Sequence, residues 1–171
     1  MKPWKTILCP VDFSASCERV LEVAAHVAAG ENARVTLLHV TDGHGELSDA
    51  ARVVPEGGGA PVGMAAYARQ SALAELDRCA RPLRDKGLSV ESAFASGPVA
   101  PAILRAVDAL GADLVVMGTH GRTGLAHVVL GSVAERVMRG ARVPVLTVRQ
   151  AKGDEAHPTA AEDVIDAERD G

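Results

Sequence analysis

The chain predicts an α/β fold, a parallel sheet with helices on both faces, and three observations carry that expectation. Short apolar runs of strand length alternate with longer stretches of helical periodicity, giving β-α-β-α-β-α-β-α-β within a single domain of 171 residues. Composition is the second: 47% of residues are hydrophobic but only 2% aromatic, so the core must be aliphatic. Third, the strand candidates read as continuous rather than alternating apolar runs, which suits strands buried on both sides. Right-handed crossovers then follow from the parallel arrangement.

Trp4–Cys9 forms the first expected strand, and Pro10-Val11-Asp12-Phe13-Ser14 the βα loop after it. Val20, Ala24, Val27 and Ala28 recur at helical spacing, with Ser14 or Ser16 to cap the start and Gly30 to take the left-handed position at the end. Arg34–Val40 is the second strand. Thr41–Gly63 is weakly patterned and contains Gly57-Gly58-Gly59, and a loop of that length is expected to serve as a mobile flap. The next helix runs roughly from Met64 to Lys86 on a stripe of Leu73, Leu76, Ala80 and Leu83, with Gly87 ending it. Pro82 falls inside and predicts a bend or an early break near Ala80, because proline removes a helical hydrogen bond. Leu88–Ala95 is the third strand, and Gly97-Pro98 opens a helix to Leu110 with proline in its first turn. Asp113–Met117 is the fourth strand. A helix over Ser132–Arg139 precedes the fifth strand, Val143–Arg149, where Pro144 falls early enough to be tolerated. The domain thus occupies 1–149, and Gln150–Gly171, polar and acidic, reads as a flexible tail.

Charge and cysteine content narrow the function. The net charge of −4 comes from interspersed signs, with neither the basic footprint nor the aromatic platforms that nucleic acid requires. No segment approaches the apolar length of a membrane span and no secretory leader is apparent, so a cytoplasmic protein is expected. Cys9, Cys17 and Cys79 are odd in number and lack a C-x-x-C pair, so they are expected to stay reduced, Cys9 as a small buried hydrophobe. His39, His44, His120 and His127 have no metal-ligand spacing, so no protein metal centre is expected.

The densest chemical signal lies at Gly118-Thr-His-Gly-Arg-Thr-Gly-Leu-Ala-His-Val-Val-Leu-Gly-Ser132, which follows a strand and enters a helix. Glycines let main-chain N–H groups approach an anion, and a helix N-terminus adds donors and a positive dipole end. Ordinary turn and cap chemistry is the competing reading, since Ser132-x-x-Glu135 is itself a capping box. Pro10–Asp12, Val40-Thr41 and Gly118–Gly121 each follow a strand, so they converge on one crevice if the first and fourth strands are neighbours. That convergence favours binding.

With these landmarks together, Trp4–Arg149 resembles the universal stress protein family in its ATP-binding branch. The resemblance rests on Ile7-Leu8-Cys9-Pro10-Val11-Asp12-x-Ser14, Leu37-Leu38-His39-Val40, Asp113-Leu114-Val115-Val116-Met117-Gly118, the spacing Gly118-x2-Gly121-x9-Gly131-Ser132, and Val143-Pro144-Val145-Leu146-Thr147-Val148. It implies a Rossmann-like, adenine nucleotide alpha hydrolase-like domain whose five parallel strands run in the order 3-2-1-4-5. It also implies a homodimer, formed here through the edge strand Val143–Arg149, and ATP held at the glycine signature, with Mg2+ carried by the nucleotide. Pro10, Val11, Asp12 and Val40 would line the adenosine end. Met117, Gly118, His120, Gly121, Arg122, Gly131, Ser132 and Val133 would surround ribose and phosphates.

Several of these residues also have a plainer reading. Asp12 can begin a turn or help cap the first helix, Ser132 can be a cap, Arg122 a solvated charge, and His120 a loop-orienting group. The expected function is a nucleotide-binding stress or signalling protein in which ATP shifts a conformational population that partners read. A slow ATPase or phosphotransferase is the alternative, but the Walker and kinase patterns are missing, so no more than weak ATP hydrolysis is expected. A third reading is an adaptor that holds no nucleotide.

Overall fold

A computed structural model describes residues 3–14, 17–42, 52–54, 60–119 and 130–149. The chain runs β1 (Thr6–Pro10), α1 (Cys17–Glu31), β2 (Arg34–Thr41), β3 (Arg52–Val53), β4 (Val62–Gly63), α2 (Met64–Asp85), β5 (Val90–Ser96), α3 (Val99–Leu110), β6 (Leu114–Gly118), α4 (Ser132–Gly140) and β7 (Val145–Val148). β1, β2, β5, β6 and β7 form one five-stranded parallel sheet in the order β5-β2-β1-β6-β7, which is 3-2-1-4-5 when only these strands are numbered.

Period-two alternation along the buried strands divides the core in two. Ile7, Cys9, Val35, Leu37, Leu114 and Val116 face the layer of α1 and α2, where they meet Val20, Ala24, Leu76 and Leu83. Leu8, Leu38, Val40, Val115 and Met117 turn the other way and pack with Ile103 and Val107 of α3 and Ala134 and Val137 of α4. Burial on both faces explains the unbroken apolar runs. Trp4, just ahead of β1, is half-buried against the α1–α2 side of the core. The foot of β1 is fixed by Asp113, whose carboxylate accepts main-chain N–H bonds from Lys5 (2.8 Å) and Thr6 (3.2 Å).

Local chemistry departs from the sequence expectations at five places. α2 continues unbroken through Pro82 to Asp85. Pro82 lies on the exposed face while Leu76, Ala80 and Leu83 are buried on either side, so packing holds the helix across the missing bond. Arg84 reinforces this end: its Nε donates to the Val90 carbonyl (3.1 Å), and with Arg81 it holds the Asp77 carboxyl below its ordinary range. α1 runs past Gly30, and Asn32, at φ 51°, is the left-handed residue instead. The Ala33 N–H reaches back to the Ala28 carbonyl at 3.0 Å, and Asn, like Gly, tolerates the conformation that closes such a Schellman motif. Gly111 ends α3 in the same way at φ 59°. Pro98 is the N-cap of α3, and the proline within its first turn is Pro101, where an N–H has no helical acceptor anyway.

The expected flap over 41–63 lies largely outside the described residues, but its described parts hold a short antiparallel ladder pairing Arg52 with Gly63 and Val53 with Val62. The fifth sheet strand is shorter than expected at Val145–Val148, and its neighbour Pro144 still supplies a carbonyl to the Val115 N–H. The proposed tail, 150–171, lies outside the described residues.

Candidate functional site

β1 and β6 are neighbours, and their pairing ends early. Cα partners are Ile7 with Leu114 and Leu8 with Val115, yet β1 continues beside β2 to Pro10 and β6 beside β7 to Gly118. The two strands therefore part at their carboxyl ends, where the strand order also reverses, and open a crevice of the kind in which α/β sheets bind ligands.

One wall is the β1–α1 loop. The Val11 N–H donates to the Leu38 carbonyl (2.9 Å), and the Val11 carbonyl accepts from Nδ1 of His39 (2.9 Å). That bond requires the proton on Nδ1, because a carbonyl can only accept. Asp12 Oδ1 accepts the Ser14 N–H at 3.1 Å, closing an Asx turn, and the Ser14 carbonyl accepts the first N–H of α1, from Cys17, at 2.9 Å. The turn reading of Asp12 is thus realised. Phe13 sits at φ 59°, a conformation bulky residues rarely take, and its ring stacks on His39 with centroids 4.3 Å apart. A cleft of about 320 Å3 beside this loop is bounded by Phe13, His39 and Thr41 and by Ser71 and Ala72 of α2. Val40 and Met117, by contrast, pack on the α3–α4 side of the sheet.

The opposite wall is built by main-chain bonds. The Thr119 N–H donates to the Val148 carbonyl (3.0 Å), and the Gly131 N–H donates to the Thr119 carbonyl at 2.7 Å. The two ends of the glycine-rich segment are thereby brought together next to Gly118. Gly131, at φ −71° and ψ 153°, is the N-cap of α4, and among the described residues no side chain caps this helix. Ser132 is accordingly already the first helical residue, so the expected capping box is not formed; the Gly131 carbonyl accepts the Glu135 N–H (2.9 Å). The N–H groups of Ser132 and Val133 open α4, where helical geometry gives them no acceptor within the helix.

Of the expected site residues, Pro10, Val11 and Asp12 stand on one wall of the crevice, and Gly118, Gly131, Ser132 and Val133 on the other. Val40 and Met117 are buried beneath it, 8% and 5% exposed. His120, Gly121 and Arg122 lie outside the described residues. Two contributors were not anticipated. Thr119 is the acceptor that draws Gly131 in, and Phe13 forms the stack with His39. The position of Thr119, directly after Gly118, was the available signal for the first; no residue preference signals a left-handed Phe.

The sequence profile of the universal stress protein family matches residues 3–149. The chain belongs to that family. Universal stress protein MJ0531 of Methanocaldococcus jannaschii is 31% identical over 149 residues, covering 87% of this chain and 84% of the relative. A universal stress protein of Thermus aquaticus is 35% identical over 147 residues, covering 85% and 99%. Among solved structures, protein MJ0577 superposes with a TM-score of 0.72 at 27% identity, covering 87% of this chain and 98% of that one. A universal stress protein solved in complex with cAMP (TM-score 0.61, 23% identity, covering 86% and 98%) shares the fold, as does an Archaeoglobus fulgidus family member in complex with dAMP (TM-score 0.59, 22% identity, covering 85% and 98%). Nucleotide binding therefore occurs within this fold. Among the described residues, no helix is long and apolar enough to cross a membrane.

Proposed function

We propose that this universal stress protein binds ATP in the crevice between β1 and β6 and acts as a regulator rather than as a consumer of the nucleotide. The observation that carries the reading is the early end of the β1–β6 pairing, at Leu8 and Val115, with Asp12 on one lip and the glycine-led N-terminus of α4 on the other. Asp12 Oδ1 is engaged in its turn, and the same carboxylate offers further lone pairs to a ribose hydroxyl or an adenine amine. The α4 N–H groups and Ser132 are suited to phosphate oxygens, and Gly118 and Gly131 let the main chain come close. His120, Gly121 and Arg122, between those two glycines in sequence, would complete the phosphate shell, and Mg2+ would enter with the nucleotide. The nucleotide complexes of two fold relatives support an adenylate as ligand. Denaturing the purified protein and identifying the released small molecule by mass spectrometry tests the proposal. ATP is the expected finding; an empty protein that also shows no heat on titration with ATP would favour the adaptor reading.

The regulator would be a cytoplasmic homodimer. Among the described residues β7 is an edge strand of the sheet, paired with β6 alone, and Leu146 on it is 38% exposed. An unpaired edge with an exposed apolar side chain calls for cover, and antiparallel pairing with a second copy would provide it in a closed, two-fold contact. Leu146→Pro, which removes a ladder donor, is expected to convert dimer into monomer or aggregate in sedimentation; a monomeric wild type at micromolar concentration would remove the proposal.

A further inference from the structure

We propose that Cys17 and Cys79 form a reversible disulfide when the protein meets hydrogen peroxide, making the seam between α1 and α2 a redox modification site. Cys17 is the first residue of α1, and Cys79 lies on α2. Far apart in sequence, they face one cleft across the seam, close enough that each thiol bears on the electrostatics of the other. Both line a cleft of about 340 Å3 between the helices, together with Phe13, Leu21 and Leu83. A small neutral oxidant fits such a space. Cys79 is half-buried, so solvent reaches it, whereas Cys9 is 0% exposed inside the sheet.

Environment assigns the order of events. Burial foremost, and then proximity to Cys79, pushes the Cys17 thiol up to about 12, so Cys17 stays protonated and Cys79 reacts first. The Cys79 sulfur attacks one peroxide oxygen; the O–O bond breaks, leaving a sulfenic acid, and the departing hydroxide takes up the thiol proton as water. The Cys17 sulfur then attacks the sulfenic sulfur; an S–S bond forms, the S–O bond breaks, and the Cys17 proton leaves with the second water. Two thiols lose two electrons, and one peroxide becomes two waters. The product is uncharged, so the cost of burying a thiolate does not burden it. Because the Cys17 N–H bonds to the Ser14 carbonyl, the new bond would fasten the Asp12–Ser14 turn to α2.

The test exposes the reduced full-length chain to hydrogen peroxide, blocks remaining thiols with an alkylating agent in denaturant, and maps the peptides. Cleavage after Phe13 separates Cys9 from Cys17. The expected result is a linked Cys17–Cys79 peptide, alkylated Cys9, and recovery of both thiols after dithiothreitol. Cys17→Ser should leave Cys79 as a sulfenic acid trapped by dimedone, and Cys9→Ser should still form the bond. The inference is overturned if Cys17 stays alkylated while Cys79 becomes a sulfinic acid or joins a second chain, if Cys9 is the linked residue, or if all three thiols survive. None of these readouts depends on nucleotide.

Discussion

The two walls of the crevice are built by different means. The β1–α1 side is held by side chains: the His39 imidazole on the Val11 carbonyl, the Asp12 carboxylate on the Ser14 N–H, and the Phe13 ring on His39. At the β6–α4 side the main chain bonds to itself, Thr119 to Val148 and Gly131 to Thr119. A wall held by side chains around a buried His39 ties its shape to the stability of the fold. A wall held by main-chain bonds can present N–H groups and small residues to a ligand, and a side chain changed there acts chiefly on what approaches. Substitutions on the first wall should therefore register in unfolding, and those on the second in binding.

His39→Ala is the harshest way to break the comparison. It strips the Val11 carbonyl of its partner, removes the Phe13 stack and leaves a void at a position 7% exposed, so urea unfolding should record a loss of about 2–4 kcal/mol. A loss under 0.5 kcal/mol would mean that the first wall does not depend on this side chain. Gly131→Val addresses the second wall. The backbone there is extended, so valine is conformationally acceptable and the poorer N-cap costs about 1 kcal/mol or less, while its branched side chain would intrude where the proposed phosphate sits. Calorimetry should then show ATP affinity reduced at least about tenfold, a difference of ~1.4 kcal/mol; equal affinities would remove the phosphate-cradle reading. Asp12 gives the finest discrimination. Asp12→Ala loses the turn bond and should cost about 1 kcal/mol, whereas Asp12→Asn keeps an oxygen for the Ser14 N–H and should stay within about 0.5 kcal/mol of wild type. If both variants unfold alike, the Asx turn contributes no stability and Asp12 matters only to the ligand.

The sheet was legible because its strands are buried on both sides and write themselves as runs such as Ile7-Leu8-Cys9 and Leu114-Val115-Val116-Met117. Strand order needed the family resemblance, since an apolar run does not name its neighbours. Local endings were less legible. Gly30 and Asn32 are both acceptable helix stops, and it is Asn32 that takes the left-handed conformation and lets the Ala33 N–H reach the Ala28 carbonyl. The early break expected at Pro82 does not occur because propensity is a local quantity, and the burial of Leu76, Ala80 and Leu83 outweighs it. The helix starts at Ser132 as expected, and only the capping-box reading fails, because Gly131, held by Thr119, takes the cap position. The short β3–β4 ladder has too few residues on either side to show an alternation at all.

Trp4 offers a practical return. It is the only tryptophan in the chain and lies before the first residue of β1, whereas the crevice opens beyond the last. At about 3.3 Å per residue along a strand, the indole is separated from the Asp12 loop by some ~20 Å or more. Its emission is thus an internal gauge of whether the core is intact, and an adenine seated at the far end of the sheet would not quench it by contact. Nucleotide added to a urea titration should leave the native signal level where it was and displace only the midpoint, so that one fluorophore reads occupancy through its effect on unfolding and without a label.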